Sequence, residues 1–219
     1  MKELSPLVYY PIFLNLEGKK CVVVGGGEVA LRKVRALLDS GARVVVVSPT
    51  LNSGLAQLAR VETISLISRE YEPKDLKDAV IVVAATDIAE VNQKIAKKAR
   101  KHGILVNVVD RPEESDFIMP SLVRRGDLIL TVSTSGASPA LAKKIRMRLE
   151  QTFGEEYTPL LSLIKEVRKE LKEQQLRVNT EDWQKALDLD LLTHLIQAGE
   201  REKAKAALLE KLKPSRKDP

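Results

Sequence analysis

The chain has 219 residues, 44% of them hydrophobic and 30% charged, and a formal net charge of +6, a composition of soluble globular proteins that excludes a disordered chain. One Trp, four Tyr and three Phe are too few for a run of base-stacking platforms, and Cys21 alone excludes an intrachain disulfide or a cysteine-rich metal cluster, leaving a buried structural thiol. No segment approaches the roughly 20 apolar residues that a bilayer crossing needs, so the expected location is the cytoplasm, with no membrane partner.

The first strand is predicted in KKCVVVGG (19–26), running into GGGEVALRKVRALLDSGA. Val29, Lys33, Ala36 and Leu37 carry helical spacing there, and Gly41 offers a stop. RVVVVS (43–48) is a β-branched run suited to a strand buried on both faces of a parallel sheet, and Pro49 ends it. SGLAQLAR (53–60) predicts a short helix and VETISLIS (61–68) a strand. DAVIVVAATD (78–87) passes from strand to polar loop, and IAEVNQKIAKKARKHG (88–103) is an amphipathic helix closed by Gly103. ILVNVVD (104–110) is the next strand. This alternation predicts a doubly wound α/β domain. Right-handed crossovers place the loops at 25–30, 48–52, 85–88 and 107–112 along one sheet edge.

From residue 113 the rhythm changes. FIMPSLV and DLILTVS predict two strands around a turn at 124–126, which cannot bury two faces unaided, so a partner subunit is expected. Ser138-Pro139 reads as a helix start. Residues 139–212 are helical in pattern, with breaks near 153–159, 178–182 and 198–200, and the tail KPSRKDP is expected to fray. The fold class is thus α/β, a Rossmann-like dinucleotide-binding domain (1–112) with a small α+β dimerisation and substrate-cleft region (113–150) and a helical C-terminal region (151–219).

Gly25-Gly26-Gly27-Glu28-Val29-Ala30 satisfies G-x-G-x-x-A directly after a strand. Gly25 allows the turn, Gly27 admits a pyrophosphate, and Ala30 lets the helix pack closely, while the amides at the start of the helix, Glu28 and Val29 among them, face the phosphates. The strand ending Val47-Ser48-Pro49-Thr50 lacks the acidic residue that usually receives the NAD ribose. Ser48, Pro49 and Thr50 would then contact the adenosine side through hydroxyl and backbone groups. No arginine immediately follows that strand to clamp an NADP phosphate, so NAD is the preferred cofactor. Thr86 and Asp87 either border the nicotinamide or cap the next helix. Lys and Arg outnumber Asp and Glu by 17 to 12 in residues 1–112 and by 19 to 18 thereafter, so the basic excess that attracts an anion lies in the first half.

Asp110 stands at the carboxyl end of a strand, where substrate meets cofactor in this architecture. It can accept a proton, hold a substrate nitrogen or pair with Arg111. Asn107 is a second loop organiser, whereas Asp116, beside Glu113 and Glu114, reads as a solvated turn. Ser133, Thr134, Ser135, Gly136 and Ser138 combine hydroxyls and helix-entrance amides that suit a substrate carboxylate, with Lys143 in the following turns; their plainer role is capping. His102 and His194 form no metal motif.

VVVGGGEVALRKVRALLDSGA, VVAATDIAEVN, GILVNVVDRPEESDFIMPSLVRRGDL and STSGASP, in this order, resemble the precorrin-2 dehydrogenase family, including the dehydrogenase/ferrochelatase portion of siroheme synthases. The resemblance covers about the first 150 residues. It implies NAD-dependent oxidation of precorrin-2 to sirohydrochlorin and a homodimer in which residues 113–150 serve association and the substrate cleft. It also implies a catalytic role for Asp110, and precorrin-2 supplied by a separate methyltransferase. Some relatives add ferrous iron to sirohydrochlorin, so iron enters only as substrate of a second reaction, with no resident metal site. Thr134 falls where a fused bacterial relative has a serine that can be phosphorylated. A nucleotide-responsive regulatory protein, binding nucleic acid through RKVR (32–35) and KKARKH (97–102), is the alternative, though no DNA-reading motif accompanies those runs.

Overall fold

The computed structural model describes residues 8–212; the tail expected to fray, 213–219, lies outside them. The chain divides into two compact units, Met1–Met119 and Pro120–Pro219. The first unit contains β1 (Lys20–Val24), α1 (Glu28–Leu38), β2 (Arg43–Val47), α2 (Ser53–Arg60), β3 (Ser65–Ile67), β4 (Ile81–Ala84), α3 (Ala89–Lys101) and β5 (Leu105–Val108). Its five strands lie in the order β3-β2-β1-β4-β5, all parallel. This is a doubly wound, Rossmann-like sheet, the class that the alternating apolar runs predict, with a reversal of winding between β1 and β4.

The strands are near-continuous Val and Ile because helices cover both faces. On one face Val22, Val24, Val82 and Val106 meet Ile95, Ala96 and Ala99 of α3. On the other, Cys21, Val23, Val44 and Val83 meet Ala30, Leu31, Val34 and Leu37 of α1. Each Val, Leu or Ile among them contributes about 1.5–3 kcal/mol when fully buried, so the sheet is the stability centre of the unit. Cys21 is fully buried, and burial pushes its thiol up to about 11, which makes it inert. The buried face of α1 is Ala30-Leu31-Val34-Leu37, not the Val29-Lys33-Ala36-Leu37 row read from spacing; Val29, Lys33 and Ala36 flank it, half-buried. The third strand is also shorter than predicted, because residues 61–63 are spent leaving α2, with Glu62 left-handed at φ 56°.

The second unit holds β6 (Ser121–Arg125), β7 (Leu128–Val132) and helices α4 (Pro139–Thr152), α5 (Tyr157–Glu173), α6 (Thr180–Ala186), α7 (Leu189–Gln197) and α8 (Arg201–Leu212). The hairpin turn is Gly126-Asp127, not 124–126 as expected. Arg124 and Arg125 are strand residues, paired with Ile129 and Leu128. Arg125 keeps its charge satisfied there by donating to the carbonyls of Phe153 and Glu150. Phe117–Met119 stay out of the strand, which begins after Pro120, a residue with no N–H for the ladder. Leu160, Leu163, Val167 and Leu171 of α5 pack with Leu192, Ala204 and Leu208 into a separate core. α4 buries only Ala142. One further break unforeseen in the sequence falls at 187–188, where Asp188 caps α7.

Candidate nucleotide and substrate site

The register pairs Val24 with Val47 and Ala84, and Ala84 with Val108. The segments beginning at Gly25, Ser48, Ala85 and Val109 therefore leave one sheet edge at one level, as the sequence reading expects. Gly25 has φ 127°, and a Cβ there would lie 2.2 Å from the Ala85 carbonyl oxygen. The middle glycine is equally constrained, which the G-x-G pattern does not disclose: a Cβ on Gly26 would lie 1.8 Å from the Thr50 carbonyl oxygen. Around Gly27 a Cβ would meet nothing within 4 Å. Gly27 is exposed and is the N-cap of α1, with no side-chain cap. Open space beside uncapped helix-start amides is what a pyrophosphate requires, so these residues fit a bound dinucleotide.

Around this turn the loops are stitched together. Asn52 N–H donates to the Gly26 carbonyl (2.8 Å), its Oδ1 caps α2 by accepting from Leu55 N–H (2.8 Å), and its Nδ2 donates to Glu28 Oε1 (2.8 Å). That last bond ties the one carboxylate in the first turn of α1. Ser48 is buried, and its hydroxyl donates to the Thr50 carbonyl at 2.7 Å, so this hydrogen is used within the loop; Pro49 and Thr50 are exposed. Thr86 Oγ1 donates to Asn92 Oδ1 (2.7 Å) and accepts from Ile88 N–H (3.2 Å), and Asn92 Nδ2 returns to the Thr86 carbonyl (2.8 Å). Thr86 thus closes the entrance of α3, while Asp87 is exposed. Asn52 and Asn92 were missed in the sequence, although Asn three residues before Leu55 is an N-cap pattern.

At the end of β5, Asp110 is exposed and left-handed, φ 58°. Ser115, also missed, shapes its turn: the hydroxyl accepts from Val108 N–H (2.9 Å) and lies 2.9 Å from the Arg111 carbonyl, to which it donates. Arg111 pairs with Glu114 at 3.0 Å. Asp116 is no idle surface turn, contrary to expectation: its carboxylate accepts from Val106 N–H and from Arg100 Nε, both at 3.0 Å. Asn107 is buried, with Nδ2 donating to the Phe117 carbonyl (3.0 Å) and Oδ1 left without a partner.

In the second unit, the segment before α4 consumes much of its own bonding capacity. Ser133 Oγ accepts from Ser135 N–H and Thr134 Oγ1 from Ser138 N–H, each at 3.0 Å, and Ser138 Oγ caps Leu141 N–H at 3.2 Å. Ser135 and Gly136 are left-handed, φ 51° and 89°. Ser133, Ser135, Gly136 and Lys143 remain exposed. Among the described residues no set of three or more His, Cys, Asp or Glu side chains comes together to hold a metal ion, and no helix is long and apolar enough to cross a membrane.

Residues 12–121 match a family of NAD(P)-binding domains. The chain belongs to this family. Residues 125–152 of this NAD(P)-binding chain match a second family, the sirohaem biosynthesis protein central domain. It is 39% identical over 198 residues to siroheme synthase 1 of Aeromonas salmonicida, covering 90% of the chain and 42% of that protein. With the siroheme synthase of Methylobacillus flagellatus it shares 43% over 177 residues, 78% of the chain and 38% of the relative. It is homologous to these enzymes while spanning about two-fifths of their length. Among solved structures, SirC, a precorrin-2 dehydrogenase, superposes with a TM-score of 0.71 at 26% identity, covering 94% of the chain and 100% of SirC.

Proposed function

We propose that the protein oxidises precorrin-2 to sirohydrochlorin with NAD as hydride acceptor. The observation that carries this reading is the likeness to SirC along the whole of that enzyme. A nicotinamide, when bound, supplies the redox chemistry. The chain's own residues bind and orient: Gly25, Gly27, Glu28 and Val29 at the pyrophosphate, Ser48, Pro49 and Thr50 towards the adenosine ribose, Thr86 and Asp87 towards the nicotinamide. Asp110 takes the proton lost as conjugation extends, or holds a pyrrolic nitrogen, on a turn that Ser115 keeps rigid. Asn107, Arg111, Ser133, Thr134, Ser135, Gly136, Ser138 and Lys143 are assigned to the polyacid substrate. Preference for NAD over NADP is supported by the sequence Ser48-Pro49-Thr50-Leu51-Asn52, in which no arginine immediately follows the strand to receive a 2′-phosphate.

The functional form is proposed to be a homodimer. Leu122 on β6 and Leu141 and Ile145, one turn apart on α4, are 41%, 50% and 38% exposed, apolar area that a two-stranded sheet and one helix leave uncovered. Ferrous iron enters only as substrate of a second reaction on sirohydrochlorin. Purified protein given precorrin-2 and NAD is expected to release NADH and sirohydrochlorin together; protein that binds NAD yet forms neither product contradicts the reading.

A further inference from the structure

Among the described residues, Lys33 of α1 has no acidic partner. Its side chain is half-buried at the flank of the helix, and its ammonium donates to the Met119 thioether at 3.2 Å. Among the described residues no carboxylate lies within ion-pairing distance of it, and unlike a fully exposed lysine it is partly desolvated. A thioether is a weak acceptor for one of three ammonium hydrogens, and a partly desolvated, unpaired lysine is costly. Burial and the like charge of Arg32 pull its pKa below the usual lysine range, opposed by the nearby charge of Asp110. The environment thus penalises the charged form, and the thioether is the one side-chain or backbone acceptor its ammonium meets among the described residues.

What surrounds Lys33 is the substrate end of the sheet. Val106 and Val108 belong to the α3 side of the core, so Asn107 between them projects to the α1 side. There its Nδ2 is tied to Phe117 while its buried Oδ1 has no partner. Phe117 packs against the α1-side core, and two residues on Met119 meets Lys33. Lys33 and the unpartnered Asn107 acceptor therefore lie on the α1 side of the sheet, and Asp110, at the end of β5, is near enough for its charge to act on Lys33.

We propose that Lys33 anchors a carboxylate of the tetrapyrrole beside Asp110, an inference that rests on the function proposed above. An ammonium whose partner arrives with the substrate explains why the fold tolerates it unpaired. The anchor would fix the macrocycle edge relative to Asp110, complementing the acceptors on that carboxylate and on Asn107 with a donor.

The test is a titration of sirohydrochlorin, followed by its absorbance, into wild type, Lys33→Gln, Lys33→Arg and Arg35→Gln, with NAD affinity measured in parallel. Arg35 is exposed on the same helix and controls for loss of one charge. A charge-assisted hydrogen bond of about 1.5–3 kcal/mol predicts that Lys33→Gln weakens sirohydrochlorin binding roughly 10- to 100-fold. Lys33→Arg should recover most of that loss, while Arg35→Gln and all NAD affinities stay near wild type. In turnover, Lys33→Gln should raise KM for precorrin-2 with kcat little changed. Undiminished binding by Lys33→Gln overturns the anchor, as does an equal loss in Arg35→Gln or a parallel loss of NAD binding. If wild type itself binds no sirohydrochlorin, the functional reading fails first; if wild type binds and Lys33→Gln binds equally, only the anchor fails.

Discussion

Asp110 occupies a backbone region that costs an ordinary L-residue roughly 1–2 kcal/mol and that Asp tolerates better than most. Its turn is fixed by Ser115 and its side chain is free in solvent, the arrangement of a group displayed for use. Asp110→Ala should lower kcat by roughly 10²–10⁴-fold with NAD affinity unchanged in a nucleotide titration. Asp110→Asn separates its two roles, since an amide oxygen can still accept from a pyrrolic N–H but takes up no proton at neutral pH. Near-normal kcat in Asp110→Asn means orientation; a loss matching Asp110→Ala means proton transfer. The adjacent glycines divide differently. Gly26→Ala places a methyl against the Thr50 carbonyl and should cost about 1–3 kcal/mol or more in denaturant unfolding. Gly27→Ala meets open space, so it should leave stability near wild type and weaken NAD binding, the signature of a methyl where phosphate belongs. Equal stability loss in both variants would contradict this division.

At the scale of elements, the parallel sheet was legible because burial on both faces demands unbroken Val and Ile, and few other arrangements do. Its edge loops followed from handedness alone. The segments read less well were those where side chains serve the backbone. Asp116 looks like a surface charge until its carboxylate is seen to satisfy Val106 N–H, and Ser115 carries no periodic signal at all. The α1 face was misjudged by one position because Lys33 fell into the apolar spacing, and the hairpin turn was misplaced because two arginines look more like turn than strand. Asn52 is the element-level test. It caps α2 and joins the glycine turn to Glu28, so Asn52→Ala should destabilise the unit by about 1 kcal/mol, measured in urea, and weaken NAD binding. Loss of stability without loss of NAD affinity would confine Asn52 to capping.

Across the whole molecule, the two units have separate cores, and the second carries an ion cluster that responds to acid. In the second, the Lys205 and Arg201 hydrogen bonds on Glu166 lower its carboxyl from 4.5 to about 2. A depressed carboxylate stabilises the fold above its unfolded pKa, and that contribution is lost as pH falls through the folded value. The stabilisation from Glu166 is therefore fully present above about pH 4.5 and fades between there and about pH 2. Glu166→Gln should lose stability at neutral pH and show a shallower acid limb across that window in urea midpoints measured against pH. Identical acid limbs would show that the cluster contributes nothing, the usual fate of exposed ion pairs.

The proposed function has a nicotinamide meet a reduced tetrapyrrole beside Asp110. The most direct measurement of that claim follows a label: precorrin-2 deuterated at the carbon that gives up hydride, incubated anaerobically with NAD and the protein. Deuterium recovered in the NADH, in equal amount to the sirohydrochlorin formed, is the result predicted. Sirohydrochlorin formed while the nicotinamide stays oxidised and unlabelled would contradict it.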